Sequence, residues 1–329
     1  MTFKALLIEE KSDSTFEKKV RTVSSNILKI NDNLIKVHYS SLNYKDALVA
    51  RGHKGISREY PTIPGVDAIG EIVESKNGSF SRGEIVIVTG HDLGMNTPGG
   101  FSEYISVPDN WIIPLPKELS EYETMVYGTA GVTAGICIHE ILFNNIKPES
   151  GKILVTGATG GVGSMAIAIL AKLGYDVIAS TGKKESHEFL NKIGAKQIIS
   201  REEVLADSKR PLNKARWIAA IDNVGGQTLS SIISSTGQHG LVCSIGLVGS
   251  DKFSSTVYPF ILRGIRLIGI DSAERGLEIK KDIWKHLATD WKPDNLSEMA
   301  KTVKLDEIIP EIEKILKGKQ MGKIVVDCQ

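Results

Sequence analysis

The chain has 329 residues, of which 41% are hydrophobic, and its 40 basic and 39 acidic side chains leave a net charge of +1. This length exceeds that of one small fold and suits two domains. The near-zero charge provides no overall field that would draw the protein to nucleic acid or to an anionic membrane, so neither is expected as a partner.

Cysteine usage and hydropathy indicate a soluble, cytoplasmic protein. Cys137, Cys243 and Cys328 are widely spaced, without a C-x-x-C pair or a zinc-type histidine spacing, so reduced thiols are expected. The apolar run at the N-terminus is too short for a signal peptide. We also expect no stretch that approaches the ~20 apolar residues of a membrane span.

The first 125 residues alternate short apolar runs with Gly, Pro and Asn. This spacing predicts antiparallel strands in a barrel-like domain over residues 1–125. The predicted strands are residues 3–8, 34–39, 68–73, 84–88 and 102–107.

From about residue 126 the pattern changes to strands that alternate with helices. Six strands are predicted, at residues 153–156, 177–180, 197–199, 217–222, 241–245 and 267–270. Strands joined by crossover helices form a doubly wound parallel sheet, so the predicted fold class is α/β with a second domain over 126–292. A helix at 308–316 and a closing strand at 323–326 are expected to return the chain to the first domain over 293–329.

The stretch from Lys152 to Leu173 is an apolar strand followed by a glycine-rich turn and an apolar helix, KILVTGATGGVGSMAIAILAKL. Its glycines permit a tight turn and a close backbone approach, and the free N–H groups that open a helix attract anions. With the next strand it forms one βαβ unit, as in a Rossmann domain that binds the pyrophosphate of a dinucleotide. The strict G-x-G-x-x-G pattern is not met, and a tight turn that binds nothing is the alternative.

The end of the next strand indicates which dinucleotide binds. An NAD site usually carries Asp or Glu about 20 residues past the loop, whereas an NADP site has small polar and basic residues there. Here the strand ends in Ser180-Thr181-Gly182-Lys183-Lys184, without a carboxylate and with two ammonium groups. The sequence therefore favours NADPH as cofactor, with lysines that are merely solvated as the alternative.

Six segments of the chain resemble the medium-chain dehydrogenase/reductase superfamily, and most closely the acrylyl-CoA reductase group of its quinone-oxidoreductase-like proteins. They are SSLNYKDAL (40–48), PGVDAIG (64–70), GGFSEY (99–104), TGATGGVG (156–163), DNVGG (222–226) and PFILRGIRLIGIDS (259–272), the last being the most specific. The resemblance implies a catalytic domain like the chaperonin-10 barrel and an inserted cofactor domain. It also implies a homodimer joined near residues 267–270.

The same resemblance implies an enzyme without a metal. Zinc-dependent members place a Cys near the position of Asn43 and Gly-His-Glu where this chain has Gly65-Val66-Asp67, and many carry a four-cysteine lobe near residue 100. Asn43 and Val66 offer neither a thiolate nor an imidazole.

What the resemblance then implies is reduction of the activated C=C bond of acryloyl-CoA by NADPH, which gives propionyl-CoA. Two alternatives stay open. One is an NADPH quinone oxidoreductase of the same fold, and the other is a binding or structural protein without relevant turnover.

The candidate catalytic residues are Tyr44, Asn43 and Asp46. Tyr44 is expected near the nicotinamide and the substrate, whereas Asn43 and Asp46 have an alternative role as turn or helix-cap residues, and solvent could supply the proton.

The cofactor contacts follow by position in the resemblance. Besides Tyr44 they are Thr159, Gly160, Gly161 and Val162 at the pyrophosphate, Thr181, Gly182, Lys183 and Arg201 at the adenosine phosphate, and Leu247 and Ile261 at the nicotinamide half. Core packing is the alternative for Leu247 and Ile261. Candidate partners for the phosphates of coenzyme A are Arg51, Lys54, Arg58 and Arg263.

Overall fold

The structure is a computed structural model that describes residues 1–28, 31–206 and 210–329. Contacts divide the chain into two compact units. Unit 1 comprises Met1–Ala130, Ser272–Thr289 and Leu296–Gln329, and unit 2 comprises Gly131–Asp271 and Asp290–Asn295. This division differs from the predicted boundaries chiefly because it assigns 272–289 to unit 1. The boundaries at 125 and 292 stay a prediction.

Unit 1 is rich in strands. The first two, β1 (Thr2–Glu10) and β2 (Phe16–Ser24), pair with each other antiparallel. The others are β3 (Asn33–Ser41), β4 (Asp67–Ser75), β5 (Ile85–Thr89), β6 (Tyr104–Val107), β7 (Ile112–Pro114), β14 (Ala300–Lys304) and β15 (Lys323–Asp327). These seven form one sheet in the order β14-β15-β3-β4-β5-β7, with β6 paired to β3. All its pairs are antiparallel except β14 with β15.

All five strands predicted in this unit are confirmed, and so are the helix at 308–316 and the closing strand, which pairs with β3. The inner faces of the sheet bury Val37, Val86 and Ile105 in a shared core. Three helices lie wholly within the described part of unit 1, namely α1 (Tyr44–Ala50), α8 (Leu277–Ala288) and α9 (Ile308–Leu316).

Unit 2 holds the predicted parallel sheet. Its strands are β8 (Ile153–Val155), β9 (Val177–Ser180), β10 (Gln197–Ile199), β11 (Trp217–Asp222), β12 (Thr236–Ser244) and β13 (Arg266–Gly269), in the order β10-β9-β8-β11-β12-β13. Every pair is parallel, which confirms the doubly wound α/β class. The helices are α3 (Gly161–Lys172), α4 (His187–Lys192), α5 (Arg201–Leu205), α6 (Gly226–Ser235) and α7 (Tyr258–Arg263).

The helix α2 (Glu121–Phe143) corrects one expectation. By length and composition it could cross a membrane, so the expectation that no stretch comes near this limit is wrong. Gly128 interrupts it with non-helical angles (φ 49°, ψ −156°), and 72% of its apolar window is buried within the protein. The core helix of a soluble protein meets the same criteria, so α2 is weak support for a membrane span.

Candidate active site

The glycine-rich turn predicted to bind pyrophosphate lies between β8 and α3. Gly157 has a φ of +58°, in the left-handed region that favours glycine. A Cβ on Gly163 would lie 2.4 Å from the carbonyl oxygen of Gly157, so the helix packs closely on the turn only because that side chain is absent. Thr159, Gly160, Gly161 and Val162 form the end of this turn and the start of α3, where N–H groups have no acceptor within the helix.

A hydrogen-bonded frame from the end of β11 supports the turn. Thr156 Oγ1 donates to Asp222 Oδ1 at 2.6 Å and accepts the N–H of Asn223 at 3.0 Å, and Asn223 Nδ2 donates to the Thr156 carbonyl at 2.8 Å. Burial raises the pKa of Asp222, and the hydrogen bonds from Thr156, Gly225 and Val224 oppose that shift. Thr156, Asp222 and Asn223 were not among the predicted site residues. The DNVGG segment (222–226), which contains two of them, was the sequence pattern that could have indicated them.

Two cations lie close to the end of β9, namely Lys183, which follows this strand, and Arg201, which begins α5. A Cβ built on Gly182 would lie 3.2 Å from Arg201 Nε and 3.4 Å from its Cζ, so the guanidinium lies directly against this glycine. The pKa of Lys183 is lowered chiefly by burial, and the charge of Arg201 acts in the same direction while that of Glu185 opposes it. The N–H of Lys183 donates to Thr181 Oγ1 at 3.1 Å. The four residues predicted at the adenosine phosphate therefore converge, in a form suited to an anion.

Leu247 and Ile261, predicted at the nicotinamide half, are 63% and 70% exposed. Core packing, the alternative for these two residues, is thereby wrong. Ile261 lies on α7 with two other exposed apolar residues, Tyr258 and Leu262, and the exposed Val257 directly precedes this helix. We call these four residues the α7 surface. Leu247 follows β12.

In unit 1, the predicted catalytic residues lie at the start of α1. Tyr44 is the first residue of the helix and is 39% exposed. Asp46 is fully buried: its Oδ1 accepts the N–H groups of Gly65 (3.0 Å) and Val66 (2.9 Å), and its Oδ2 accepts that of Asn43 (2.8 Å). Burial raises the pKa of Asp46 to about 7, against these donors. The carboxyl group thus ties the start of α1 to the 65–66 turn.

The side chain of Asn43 is engaged at both ends. Its Nδ2 donates to Asp67 Oδ2 at 2.7 Å and to the Ser41 carbonyl at 2.9 Å, and its Oδ1 accepts from Lys323 Nζ at 3.1 Å. The structure therefore brings Asn43, Tyr44 and Asp46 together, and Tyr44 is the one whose side chain is exposed. Catalytic roles for Asn43 and Asp46 stay a prediction. Their contacts provide the cap and turn roles named as the alternative.

Three residues that were not predicted as part of the site complete this buried network, namely Asp67, Thr129 and Lys323. Both oxygens of Asp67 accept the N–H of Thr129 at 2.9 Å, and Oδ1 also accepts its hydroxyl at 2.5 Å. Lys323 Nζ donates to the Leu42 carbonyl at 3.3 Å as well as to Asn43. Burial lowers the pKa of Lys323, whereas the charges of Asp67 and Asp46 raise it.

The donor set at the start of α1 is poorly suited to zinc, because Asn43 offers an amide and Val66 offers no ligand atom. Within residues 1–28, 31–206 and 210–329, no group of three or more His, Cys, Asp and Glu side chains is arranged to hold a metal ion. Metal-free activity stays a prediction.

Arg263, one of the four candidate partners for coenzyme A, already donates hydrogen bonds to backbone carbonyls of unit 2. Arg263 Nη1 donates to the carbonyls of Ser234 (3.2 Å) and Thr236 (2.8 Å), and Nη2 donates to that of Asn213. This guanidinium holds chain segments together, which does not favour a role in binding a phosphate.

Comparison with known proteins gives matches over the whole chain. Residues 29–117 match the family described as alcohol dehydrogenase GroES-like domain, and residues 161–289 match that described as zinc-binding dehydrogenase. The chain is 43% identical to "Putative quinone oxidoreductase YhfP" of Bacillus subtilis over 98% of both chains. It is 36% identical to acrylyl-CoA reductase AcuI of Ruegeria pomeroyi over 99% of both chains.

Solved structures of similar proteins also match this chain over nearly its full length. A crystal structure of E. coli K-12 YhdH with bound NADPH matches with a TM-score of 0.95 and 37% identity, covering 99% of this chain and 100% of that one. That of B. subtilis YhfP with NAD bound matches with a TM-score of 0.96 over 99% of both chains. The predicted pairing of a GroES-like domain with a Rossmann-type domain is confirmed. The chain belongs to the medium-chain dehydrogenase/reductase superfamily, in which it is similar to quinone-oxidoreductase-like proteins and to acrylyl-CoA reductases.

Proposed function

We propose that this oxidoreductase reduces the activated C=C bond of acryloyl-CoA to propionyl-CoA with NADPH. The observation that carries the proposal is the arrangement at the start of α1, where the exposed side chain of Tyr44 follows a largely buried network of Asn43, Asp46, Asp67 and Lys323. A neutral hydroxyl donor on a rigid support suits stabilisation of a developing oxyanion without a metal. The full-length similarity to an acrylyl-CoA reductase supports the choice of substrate.

The residues present fit NADPH. The glycine-rich turn supplies backbone N–H groups for a pyrophosphate, and Arg201 and Lys183 supply two cations for a 2′-phosphate. One similar crystal structure contains NADPH and another contains NAD, so the choice for this chain depends on these two cations.

The mechanism assigns separate work to the residues at the start of α1. Bound NADPH supplies the hydride that adds to the β-carbon. As negative charge develops on the thioester oxygen, the Tyr44 hydroxyl donates a hydrogen bond to it. Asn43 and Asp46 act as positioning residues, because their hydrogen bonds fix the first turn of the helix that carries Tyr44. The α-carbon then takes a proton from Tyr44 or from solvent.

The cofactor proposal predicts a strong preference for NADPH over NADH. Replacing Lys183 or Arg201 with Ala should raise the KM for NADPH, since losing one charge-assisted contact costs about 1.5–3 kcal/mol, or roughly 10- to 150-fold. The KM for NADH should change little, which serves as the internal control. Equal catalytic efficiency with both cofactors in the unmodified protein would refute the assignment.

The function is tested by following NADPH oxidation with acryloyl-CoA, crotonyl-CoA and a quinone, with and without prolonged exposure to a strong chelator. We expect the highest kcat/KM for acryloyl-CoA, because its short acyl group needs little space, and no effect of the chelator. The second candidate is an NADPH quinone oxidoreductase, which the similarity to YhfP favours. Far more efficient reduction of the quinone would establish that alternative, and activity lost on removal of a stoichiometric zinc would contradict the metal-free reading.

We also propose a cytoplasmic homodimer without nucleic-acid or membrane partners. The strand β13 is at the edge of its sheet within the chain, and the α7 surface exposes four large apolar side chains. An open sheet edge beside exposed apolar residues is typical of a protein–protein interface. Sedimentation equilibrium that shows only monomers at micromolar concentration would exclude this assembly.

A further inference from the structure

We propose that Arg51 and Arg58 bind the phosphates of the coenzyme A part of the substrate. Both arginines belong to the basic loop, which we define as residues 51–60, and this loop directly follows α1. The inference rests on the proposed function and adds a binding site for the end of the substrate that is far from its reacting carbon.

The segment that carries these arginines is locally basic. Residues 44–60 contain four basic side chains, Lys45, Arg51, Lys54 and Arg58, and two acidic ones, the buried Asp46 and the exposed Glu59, whereas the whole chain is almost neutral. An excess of cations over one short segment raises the local concentration of an anionic ligand.

The three cations of the basic loop differ in whether an acidic side chain of the protein already binds them. Lys54 Nζ lies 2.5 Å from Glu10 Oε2 and 4.8 Å from the centroid of the Tyr60 ring, so its charge is already compensated. Arg51 and Arg58 are exposed, and in the part of the chain that the structure describes neither guanidinium contacts a carboxylate. They are therefore the cations of the loop that are available to a ligand.

The backbone that carries these arginines is held in place. A Cβ on Gly52 would lie 2.0 Å from Phe16 Cε2, so the loop packs tightly on this ring. The Tyr60 hydroxyl donates to the Val49 carbonyl at 3.0 Å, and the N–H of Arg58 donates to Asn96 Oδ1 at 3.3 Å. A loop fixed in this way loses little conformational freedom when it binds a ligand.

The register of α1 connects the basic loop to the proposed reaction centre. Tyr44, Leu48 and Arg51 are spaced at i, i+4 and i+7, which places them along one face of the helix. Seven residues correspond to a rise of about 10 Å. In an acyl-CoA the flexible pantetheine chain separates the thioester from the phosphates, so a thioester at Tyr44 can extend its phosphates along this face. An arginine is suited to them because its planar guanidinium binds phosphate with two parallel hydrogen bonds.

The test compares two substrates in the full-length protein. The double variant Arg51→Ala/Arg58→Ala is assayed with acryloyl-CoA and with acryloyl-pantetheine, which carries the same thioester without phosphates. We expect the ratio of kcat/KM for acryloyl-CoA to that for acryloyl-pantetheine to fall by at least about tenfold, because two charge-assisted contacts are lost. Arg82→Ala, which removes another exposed arginine of unit 1, is the matched control and should leave the ratio unchanged.

Two further measurements separate the possible outcomes. An unchanged ratio overturns the inference, and so does a raised KM for NADPH, which would assign the cations to the cofactor instead. If the unmodified protein reduces only quinones, the proposed function fails, and calorimetric titration of free coenzyme A then tests the loop alone. Weaker binding by the double variant than by Arg82→Ala would support the site, whereas equal binding or none would refute it.

Discussion

Replacing Tyr44 with phenylalanine should lower kcat and kcat/KM for acryloyl-CoA together, by about 100- to 1000-fold, which is the usual cost of one oxyanion donor. The substitution keeps the ring, which is 39% exposed at the start of α1, and removes only the hydroxyl. An interaction made only in the transition state affects both constants equally, whereas a ground-state binding contact mainly raises KM. Steady-state kinetics with saturating NADPH distinguish the two.

Tyr104→Phe provides a matched control, because Tyr104 is a half-buried residue of β6 in unit 1 and has no assigned role in binding or in the reaction. Its kinetic constants should be those of the unmodified protein. The reaction should also be run in D2O, where we expect one deuterium at the α-carbon of propionyl-CoA. Unchanged kinetics in Tyr44→Phe would remove Tyr44 from the mechanism and leave the oxyanion to solvent or backbone groups.

The parallel sheet could be predicted from the sequence because each strand is an unbroken apolar run. Ile153, Leu154 and Val155 are all fully buried, as both faces of a parallel strand usually are. The strands β2 and β14 were missed for the opposite reason. The sequence of β2, FEKKVRTVS, carries charges on an exposed face, and in β14 only Val303 is fully buried, so neither has a run of apolar residues.

The residues predicted to bind the cofactor and the network around Asn43 also differ in how far each could be predicted from local sequence. The glycine-rich turn is encoded by adjacent residues. Of the residues predicted at the adenosine phosphate, Thr181, Gly182 and Lys183 directly follow β9, and Arg201 at the start of α5 lies against Gly182. The network around Asn43 combines Asp67, Thr129 and Lys323, which are separated by tens to hundreds of residues. The pairing of β15 with β3 brings Lys323, the first residue of β15, next to Asn43. No local sequence pattern predicts that contact.

Replacing Lys323 with methionine should lower the free energy of unfolding by about 3–5 kcal/mol, the usual cost of removing one partner from a buried charged group. The side chain is 2% exposed, and its Nζ bonds to Asn43 Oδ1 and the Leu42 carbonyl would be lost. Urea denaturation measures the change. Lys304→Met is the matched control. Lys304, on β14, pairs with Asp327 of β15, but its side chain is 62% exposed, so we expect a much smaller loss than for Lys323→Met.

The pH dependence of this loss tests its electrostatic origin. The charge of Lys323 favours the ionised form of Asp46, so its removal should raise the pKa of this carboxyl group in the folded state. A carboxyl group whose pKa is raised by folding contributes stability at low pH that is lost as the pH rises through the folded-state pKa, which for Asp46 is about 7 in the unmodified protein. Lys323→Met should therefore be more destabilising at pH 8 than at pH 5, and adding Asp67→Asn should recover part of the loss at pH 8. An equal loss at both pH values, without recovery in the double variant, would assign the effect to packing alone.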